Sequence, residues 1–287
     1  RRMMMKFKKW IATALVATLA VGLFAGCGGN NNSTGSSAAE SSASSDDKVI
    51  TIGASVTPHA VILNHLADQF EKEGYELKVV EFTDYVQPNN ALEAGDLDAN
   101  YFQHQPYLDN FNEENGTDIV SVGANLYIPM AIFSEKLTNL DSIPDGATIA
   151  VPNDTTNEAR ALLLLQENGF IKLKDGVDIK ATVMDIEDNP HNLEFVEMDA
   201  AQIPRAIKDT DLAIVNGNYA LDAGLNLDDA LLIESSDSTT AQTYANVIAV
   251  RAGEENTEKT KVIVKILTSD ETKQYIQDSF NGAVLPI

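Results

Sequence analysis

From residue 48 onward the sequence alternates between short apolar runs typical of strands and longer amphipathic runs typical of helices. Strands are predicted at 48–54, 76–82, 97–101, 118–122, 127–134, 147–151, 212–215, 231–234 and 245–251. Helices are predicted at 59–73, 89–94, 106–115, 219–223 and 257–280, with one more directly after the strand 147–151. This alternation favours mostly parallel sheets covered by helices, so we predict an α/β fold with either one large domain or two lobes.

The helix that follows strand 147–151 has the pattern of an anion-binding site. Asn153 or Asp154 can cap it, because a short polar side chain accepts hydrogen bonds from the free N–H groups at a helix start. Asn157 and Arg160 lie three residues apart on one face, near the positive end of the helix dipole. Arg160 offers a planar fork that matches a carboxylate with two bonds, and Asn157 adds a neutral donor. The alternative is an ordinary capped helix whose arginine pairs with a nearby carboxylate.

Polar and aromatic side chains follow three of the predicted strands, at the sheet edge where open α/β folds bind ligands. They are residues 101–106, the pair Asn157 and Arg160, and residues 216–219. These three sets come from distant parts of the chain and together supply aromatic walls, one cation and several amides. Such an inventory fits a small zwitterion with an apolar side chain.

The first residues of the chain have the pattern of a secretory signal. A basic head is followed by an apolar run at 10–25, which is too short to span a membrane comfortably. The small residues Ala25 and Gly26 then precede Cys27, the single cysteine of the chain. We predict that residues 1–26 are a lipoprotein signal peptide and that Cys27 is lipidated after their removal. The alternative for a lone cysteine is a buried core thiol.

Residues 27–47 are rich in Gly, Asn, Ser and Ala and have almost nothing to bury, so we predict a disordered tether. The signal segment holds five basic residues and no acidic one, so its removal takes the formal charge from −23 to −28. So acidic a chain argues against nucleic acid as a partner and against binding of anionic lipid headgroups by charge.

Several runs of the sequence resemble the methionine-binding lipoproteins of ABC importers, the MetQ/NlpA family. The strongest is DLDANYFQHQPYL at residues 96–108, and FTDYVQPN at 82–89 and VPNDTTNEARALLLLQ at 151–166 are similar. Shorter matches are GFIKLKDG at 169–176, DNP at 188–190, QIPR at 202–205 and FNGAV at 280–284. Two departures matter: Thr155 stands where many members have proline, and Tyr101 lies at a variable position, which bears on pocket size.

The resemblance implies a two-lobed fold like that of type II periplasmic binding proteins, with a ligand cleft between the lobes. Chain order then suggests that residues 48–124 and 237–287 form one lobe and residues 125–236 the other. The implied ligand is methionine, L-methionine above its enantiomer, or a related amino acid. Matching the family's positions implies that Arg160 and Asn157 hold the ligand carboxylate and that Asn216 and Asn246 bind its ammonium or carboxylate. The implied side-chain walls are Tyr101, Phe102 and His104, with Tyr127 as a weaker member.

The resemblance also implies the partners: the permease and the ATPase of an ABC importer, and the cell membrane, which the lipid at Cys27 would hold from its extracytoplasmic face. A Met-containing dipeptide or another amino acid remains an alternative ligand. A surface adhesin or a secreted hydrolase remains an alternative class. The sequence holds no Gly-x-Ser-x-Gly elbow, no His-Glu-x-x-His motif and no glycine-rich phosphate loop, so an enzyme is not expected. The four histidines show no ligand spacing, and neither a metal nor a cofactor is predicted.

Overall fold

The computed structural model describes residues 48–287, except the side chains of residues 238 and 239. The predicted signal peptide at 1–26, the lipidation site Cys27 and the tether at 27–47 lie outside the described residues. Within the described part of the chain, no helix is both long enough and apolar enough to cross a membrane.

The described chain alternates between strands and helices, as the sequence predicts. The strands are β1 (Val49–Ser55), β2 (Glu76–Phe82), β3 (Ala99–His104), β4 (Ile119–Tyr127), β5 (Ala131–Phe133), β6 (Thr148–Pro152), β7 (Lys172–Leu173), β8 (Ile186–Asp188), β9 (Glu194–Met198), β10 (Leu212–Val215), β11 (Leu232–Ile233), β12 (Asn246–Arg251) and β13 (Leu285–Pro286). The helices are α1 (Val61–His65), α2 (Ala67–Lys72), α3 (Gln87–Glu93), α4 (Gln105–Asn115), α5 (Thr155–Glu167), α6 (Ile203–Ala206), α7 (Gly217–Asp222), α8 (Ser238–Thr243), α9 (Glu258–Leu267) and α10 (Asp270–Ser279).

These strands form two main sheets. The first has the order β13-β4-β12-β3-β1-β2, in which β1 runs parallel to β2 and β3. In the same sheet β12 runs antiparallel to β3 and β4, and β13 runs antiparallel to β4. The second has the order β11-β5-β10-β6-β9, in which β6 runs parallel to β10 and β9. A small pair, β7 and β8, lies apart from both. In each sheet three neighbouring strands run parallel: β3, β1 and β2 in the first, and β10, β6 and β9 in the second. The carboxyl ends of such parallel strands lie on one side of the sheet, where ligands bind in these folds.

Each sheet has its own hydrophobic core. In the first, Ile50 and Ile52 of β1 pack with Phe70 of α2. In the second, Ile149 of β6 packs with the buried Leu162 of α5. Both cores exclude water from one face of their sheet, and such burial contributes about 25 cal/mol per Å² of apolar surface.

The chain passes between the two sheets twice. The first passage, at residues 128–130, joins β4 to β5, and the second, at residues 234–245, joins β11 to β12. The division into lobes at 124/125 and 236/237 remains a proposal. The first of these boundaries lies within β4, because this strand continues through Tyr127 in the first sheet. The predicted strand 127–134 was wrong as a single element, because it includes the first passage.

Three further boundaries differ from the sequence prediction. The predicted helix 257–280 is two helices, because Ser269 caps α10 with a bond from the Thr272 N–H group and so starts a new helix. The predicted helix 59–73 is also divided, since α1 and α2 meet at Leu66, whose backbone leaves the helical region. The predicted strand 97–101 is β3, which begins at Ala99 and continues to His104. This shift places His104 at the end of the strand.

Gly217, the first residue of α7, allows this helix to approach the first passage closely. A Cβ atom at this position would lie 2.6 Å from the carbonyl oxygen of Pro129 and would also overlap the side chain of Ile128. Any larger residue would push the start of α7 away from the passage. The close approach therefore sets the position of Asn216 and Asn218 on either side of this glycine.

Candidate functional site

A narrow cavity lies where strand ends of both sheets face each other. Its lining comes from β3 and β12 of the first sheet and from α5 and the start of α7, which follow strands of the second. Six residues predicted from the sequence line it: Phe102, His104, Asn157, Arg160, Asn216 and Asn246. Each of these six side chains is at most 5% exposed.

The two other predicted wall residues lie outside this cavity. Tyr101 is fully buried, and its hydroxyl donates to Asn125 Oδ1 at 2.7 Å. Successive side chains of a strand face opposite sides, so Tyr101 enters the core of the first sheet while Phe102 reaches the cavity. Tyr127 lies at the end of β4, and its hydroxyl donates to Glu234 Oε2 at 2.8 Å. These positions make both tyrosines supports of the site rather than parts of its wall.

Arg160 forms a buried ion pair with Glu234, which is 74 residues away in the sequence. Its Nε donates to Glu234 Oε1 at 2.8 Å, and its Nη2 donates to Glu234 Oε2 and to the Ile128 carbonyl oxygen. The side chains of Arg160 and Glu234 are 4% and 3% exposed. The edge of the guanidinium formed by Nε and Nη2, which could bind a ligand carboxylate through two bonds, is therefore occupied by Glu234. This corrects the predicted two-bond clamp and leaves Nη1 as the nitrogen that a ligand can approach.

Glu234 is held from several sides as the partner of this arginine. It accepts hydrogen bonds from the Tyr127 hydroxyl and from the Met130 N–H group, at 2.8 and 2.9 Å. Burial favours the neutral carboxyl, but the charge and hydrogen bonds of Arg160 outweigh it, and the pKa of Glu234 lies below its usual range. Both members of the pair are therefore charged at neutral pH, and together they carry no net charge.

A chain of side-chain hydrogen bonds connects Asp154 to Asn216. Asp154 is the N-cap of α5, as the sequence allowed, and accepts from both the N–H group and the Nδ2 of Asn157. Asn157 Oδ1 in turn accepts from Asn216 Nδ2 at 2.7 Å and lies 3.1 Å from His104 Nε2. Both ends of the Asn157 amide thus have partners within the protein. We therefore interpret Asn157 as the residue that orients Asn216, and not as the direct carboxylate ligand that the sequence predicted.

The tautomer of His104 is fixed by the backbone. Its Nδ1 accepts from the Tyr107 N–H group at 3.1 Å, so in the neutral ring Nε2 carries the proton and donates to Asn157 Oδ1. Burial, with a further contribution from the charge of Arg160, lowers the pKa of His104 to about 3. His104 is therefore neutral, and its ring acts as a hydrogen-bond donor as well as a wall.

His59 supports Asn246 in a similar way from behind the cavity. Its Nε2 lies 2.9 Å from Asn246 Oδ1, which can only accept, so Nδ1 accepts from the Ser55 hydroxyl at 2.6 Å. Burial lowers the pKa of His59 to about 3, against the opposing hydrogen bond of Asn246. The described residues contain no group of three or more His, Cys, Asp or Glu side chains that could hold a metal ion.

Two buried side-chain atoms of the described residues have no hydrogen-bond partner, and both belong to residues that line the cavity. One is Asn216 Oδ1, an acceptor, and the other is Asn218 Nδ2, a donor. An unpaired buried polar atom costs about 1–3 kcal/mol, so these two atoms, a donor and an acceptor, can bind a polar molecule in the cavity, either water or a ligand.

Sequence comparison identifies the family. The family model described as NlpA lipoprotein matches residues 50–287. The chain belongs to the NlpA lipoprotein family. This confirms the family membership predicted from the sequence runs at 82–89, 96–108 and 151–166.

Individual proteins are similar to this chain over most of its length. A protein of Salmonella typhi named D-methionine-binding lipoprotein MetQ is 39% identical over 287 residues, which cover 99% of each chain. The crystal structure of a lipoprotein from Ruminococcus gnavus is 54% identical, with a TM-score of 0.82, and covers 84% of this chain and 99% of that one. A nutrient binding protein from Burkholderia cenocepacia, solved bound to methionine, is 46% identical with a TM-score of 0.77 over 83% and 99% of the two chains. The predicted two-lobed fold, like that of periplasmic binding proteins, is thereby confirmed.

Sequence reasoning missed several residues that line or support this cavity of the NlpA lipoprotein. Tyr85, Tyr107 and Asn218 line the cavity, and Glu234 holds Arg160. A signal was present for two of them. Asn218 belongs to the run 216–219, which the rule that ligands lie beyond strand ends did select, although only Asn216 of that run was assigned a binding role. Glu234 is the last residue of the predicted strand 231–234, so the same rule could have selected it.

The buried ion pair predicts the effect of replacing Glu234. In Glu234→Ala the Arg160 guanidinium remains buried without its charged partner, so the free energy of unfolding should fall by about 3–5 kcal/mol. Urea denaturation followed by circular dichroism measures this. Glu187→Ala is the matched control, because Glu187 pairs with Lys172 at the exposed surface and should have a much smaller effect. A loss in Glu234→Ala no larger than in this control would contradict the structural role of the pair.

The two buried histidines predict a pH dependence of stability. The pKa of each ring is lowered from 6.5 to about 3, so between these values the unfolded chain binds protons that the folded protein does not. Stability should therefore be lost as the pH falls below about 6.5, at up to about 1.4 kcal/mol per pH unit for each histidine. Urea titrations at pH 7, 6 and 5 measure the slope. His59→Gln should reduce the slope by about one proton, and an unchanged slope would show that His59 is protonated in the folded state.

Proposed function

We propose that this NlpA lipoprotein is the substrate-binding protein of an ABC importer and that it captures methionine, in the L form predicted from the sequence, in the cavity between its lobes. The observation that carries this proposal is the pair of buried, unpartnered amide atoms, Asn216 Oδ1 and Asn218 Nδ2, in the same cavity as Arg160. An acceptor, a donor and a cation in one cavity match an amino acid better than they match a neutral solute.

The charges of a zwitterion fit this arrangement. Asn216 Oδ1 is oriented as an acceptor by its Nδ2 bond to Asn157, and an ammonium group is the donor that suits it. Arg160 can bind the carboxylate through Nη1, with Asn246 beside it. The Arg160–Glu234 pair is neutral as a whole, so a ligand with no net charge leaves no uncompensated charge in the cavity. Acidic and basic amino acids would each leave one.

The aromatic part of the cavity fits an apolar or thioether side chain. Tyr85, Phe102 and Tyr107 line it, and their rings contact one another with centroid distances of 5.6–6.2 Å. Methionine sulfur makes favourable contacts with aromatic rings, and its flexible chain adapts to an irregular pocket. The names of the relatives support methionine as the ligand, although not its L form: one is called a D-methionine-binding lipoprotein, and the Burkholderia cenocepacia structure contains methionine.

Hydrogen bonds across the cavity support a mechanism of lobe closure. His104 of the first sheet lies 3.1 Å from Asn157 Oδ1 of α5, and the Tyr85 hydroxyl donates to Asn218 Oδ1 at 2.5 Å. Lys180 also pairs with Glu113 of α4 at 2.6 Å, on the exposed surface. Closing the lobes on a ligand would form these bonds and present the permease with a shape that differs from the open form. The protein would thus act by binding and delivery, not by catalysis.

We further propose that the protein works at the extracytoplasmic face of the cell membrane. The anchor would be the lipidated Cys27, and residues 28–47 would let the folded part reach the permease, whose ATPase drives import. A diacylated cysteine supplies the two chains that stable anchoring requires. Mass spectrometry of the mature protein from cells would detect the lipid on Cys27.

The ligand is tested with purified residues 48–287 that have been unfolded and refolded to remove any retained molecule. Isothermal titration calorimetry should give a clear binding signal with L-methionine, and glutamate and lysine should not bind. D-Methionine and a glycyl-methionine dipeptide complete the panel. Stronger binding of either would keep the importer function and change the substrate. An absence of binding and of thermal stabilisation by the whole panel would favour the adhesin or hydrolase class.

The role of Arg160 is tested by truncation. Arg160→Ala removes the cation from the carboxylate site, so methionine affinity should fall by at least about tenfold, or 1.4 kcal/mol. Calorimetry on protein shown by circular dichroism to be folded measures the change. Arg205→Ala is the matched control, because Arg205 is exposed and lies outside the cavity. Unchanged affinity in a folded Arg160→Ala protein would remove Arg160 from the site.

A further inference from the structure

We infer that Lys180 and Glu113 form a latch between the two lobes, which holds them closed around the ligand and slows its release. Lys180 Nζ donates to Glu113 Oε2 at 2.6 Å, although the two residues are 67 positions apart in the sequence. The inference rests on the proposed function and deepens it, because it names a contact that governs how long the protein keeps its ligand.

The two partners belong to different hydrophobic cores. Glu113 lies in the last turn of α4, whose Phe111 is buried together with Ala249 of the first sheet. Lys180 directly precedes Ala181, which is fully buried in the core of the second sheet. Each partner is therefore anchored on its own side, and the ion pair exists only while the two sides lie against each other.

A second contact joins the same two surfaces. Thr155, the first residue of α5, donates from its hydroxyl group to Glu114 Oε1 at 3.4 Å. Glu113 and Glu114 are neighbours at the end of α4, so both carboxylates of this helix end reach groups of the second lobe. The end of α4, the start of α5 and Lys180 thus form one contact between the lobes, in which Lys180 supplies the positive charge.

The position of the two carboxylates is unfavourable for α4 itself. The C-terminal end of a helix carries a partial negative charge, which repels acidic side chains. Helix α4 ends at Asn115, with the left-handed Gly116 as its C-cap, and its last turn contains no basic residue. Glu113 and Glu114 therefore do not stabilise their own helix through its dipole. A cation from outside the helix compensates them, and Lys180 is that cation.

The charge of the whole protein opposes closure of the lobes. Under the proposed division, residues 48–124 and 237–287 contain 20 acidic and eight basic residues, and residues 125–236 contain 20 acidic and seven basic residues. Two lobes with the same sign of net charge repel each other. The hydrogen bond to Glu113 and the charge of that carboxylate raise the pKa of Lys180, so its ammonium group stays charged. Lys180 therefore provides local attraction against a general repulsion.

The exposure of the pair sets the size of its effect. The side chains of Lys180 and Glu113 are 52% and 68% exposed, and exposed ion pairs shift an equilibrium by about two- to fivefold. The contact exists only in the closed form, so the ligand's dissociation rate should change by this factor. The association rate should stay nearly constant, because the ligand enters the open form.

The test measures how fast bound radiolabelled methionine leaves residues 48–287 after an excess of unlabelled methionine is added. Lys180→Met removes the charge and keeps a long side chain, so the dissociation rate should rise about two- to fivefold at low ionic strength. Salt screens an exposed ion pair, and the Debye length falls to about 3 Å at 1 M. The difference between the variant and the unmodified protein should therefore disappear at about this salt concentration.

Lys172→Met is the matched control. Lys172 pairs with Glu187, and their side chains are 59% and 52% exposed, so the chemistry and exposure resemble those of the latch. Both residues belong to the small β7–β8 pair, and their ion pair does not connect the two main sheets. The dissociation rate of this variant should equal that of the unmodified protein.

Exchange of the two charges separates the pair from its single members. Lys180→Glu should release methionine faster than Lys180→Met does, because it places a third carboxylate beside Glu113 and Glu114. The double variant Lys180→Glu with Glu113→Lys restores opposite charges at the same positions. Its dissociation rate should return to within about twofold of the unmodified protein, since the two changes are coupled.

Three results would overturn the inference. The first is an unchanged dissociation rate in a folded Lys180→Met protein. The second is a faster release that high salt does not abolish, and the third is one that the charge exchange does not reverse. Each would show that Lys180 does not act through an electrostatic contact with Glu113. None of them bears on the proposed function, which depends on whether the unmodified protein binds methionine at all.

Discussion

The buried pair of Arg160 and Glu234 joins the parts of the fold that make the site. Arg160 donates to the Ile128 carbonyl oxygen, and Glu234 accepts from the Met130 N–H group, so the pair binds the first passage between the sheets from both sides. Glu234 itself begins the second passage. A buried ion pair gains little stability over an apolar equivalent, but breaking it is costly because one charge remains unpaired. The pair thus fixes the geometry of both passages relative to α5.

The polarity of the cavity follows from hydrogen bonds that originate outside it. The amide group of an asparagine can present either its donor or its acceptor to the cavity. Hydrogen bonds to Asp154 and His104 fix the orientation of the Asn157 amide, and Asn157 in turn orients Asn216. The Tyr85 hydroxyl fixes the orientation of the Asn218 amide. Because these partners come from both sides of the cavity, the complete pattern exists only when the two sides are together. In the proposed function, recognition of a zwitterion would therefore be linked to closure around it.

Local sequence rules predicted those features that depend on local structure. The α/β alternation, the cap at Asp154 and the position of Arg160 on the first turns of α5 all follow from neighbouring residues. The rule that ligands lie beyond strand ends also brought Asn216 and His104 to the site. Family resemblance added Asn246, which lies at the start of β12 and which no local motif distinguishes.

Features that depend on distant partners could not be predicted in this way. Glu234 is 74 residues from Arg160, and nothing near either residue shows that they pair. The family resemblance placed Tyr101 in the wall together with Phe102, but these adjacent side chains of β3 face opposite sides, so only Phe102 reaches the cavity. The single helix predicted over 257–280 failed for a different reason: the amphipathic pattern continues through Ser269, and only the cap shows that the helix restarts.

The most direct test of a zwitterion site with this polarity is a crystal structure of residues 48–287 with methionine bound. The ligand nitrogen should lie within about 3 Å of Asn216 Oδ1, and the carboxylate should face the Arg160 guanidinium, with the side chain among Tyr85, Phe102 and Tyr107. A ligand bound in the reverse orientation, with its carboxylate against Asn216 Oδ1, or a ligand bound outside this cavity, would contradict it.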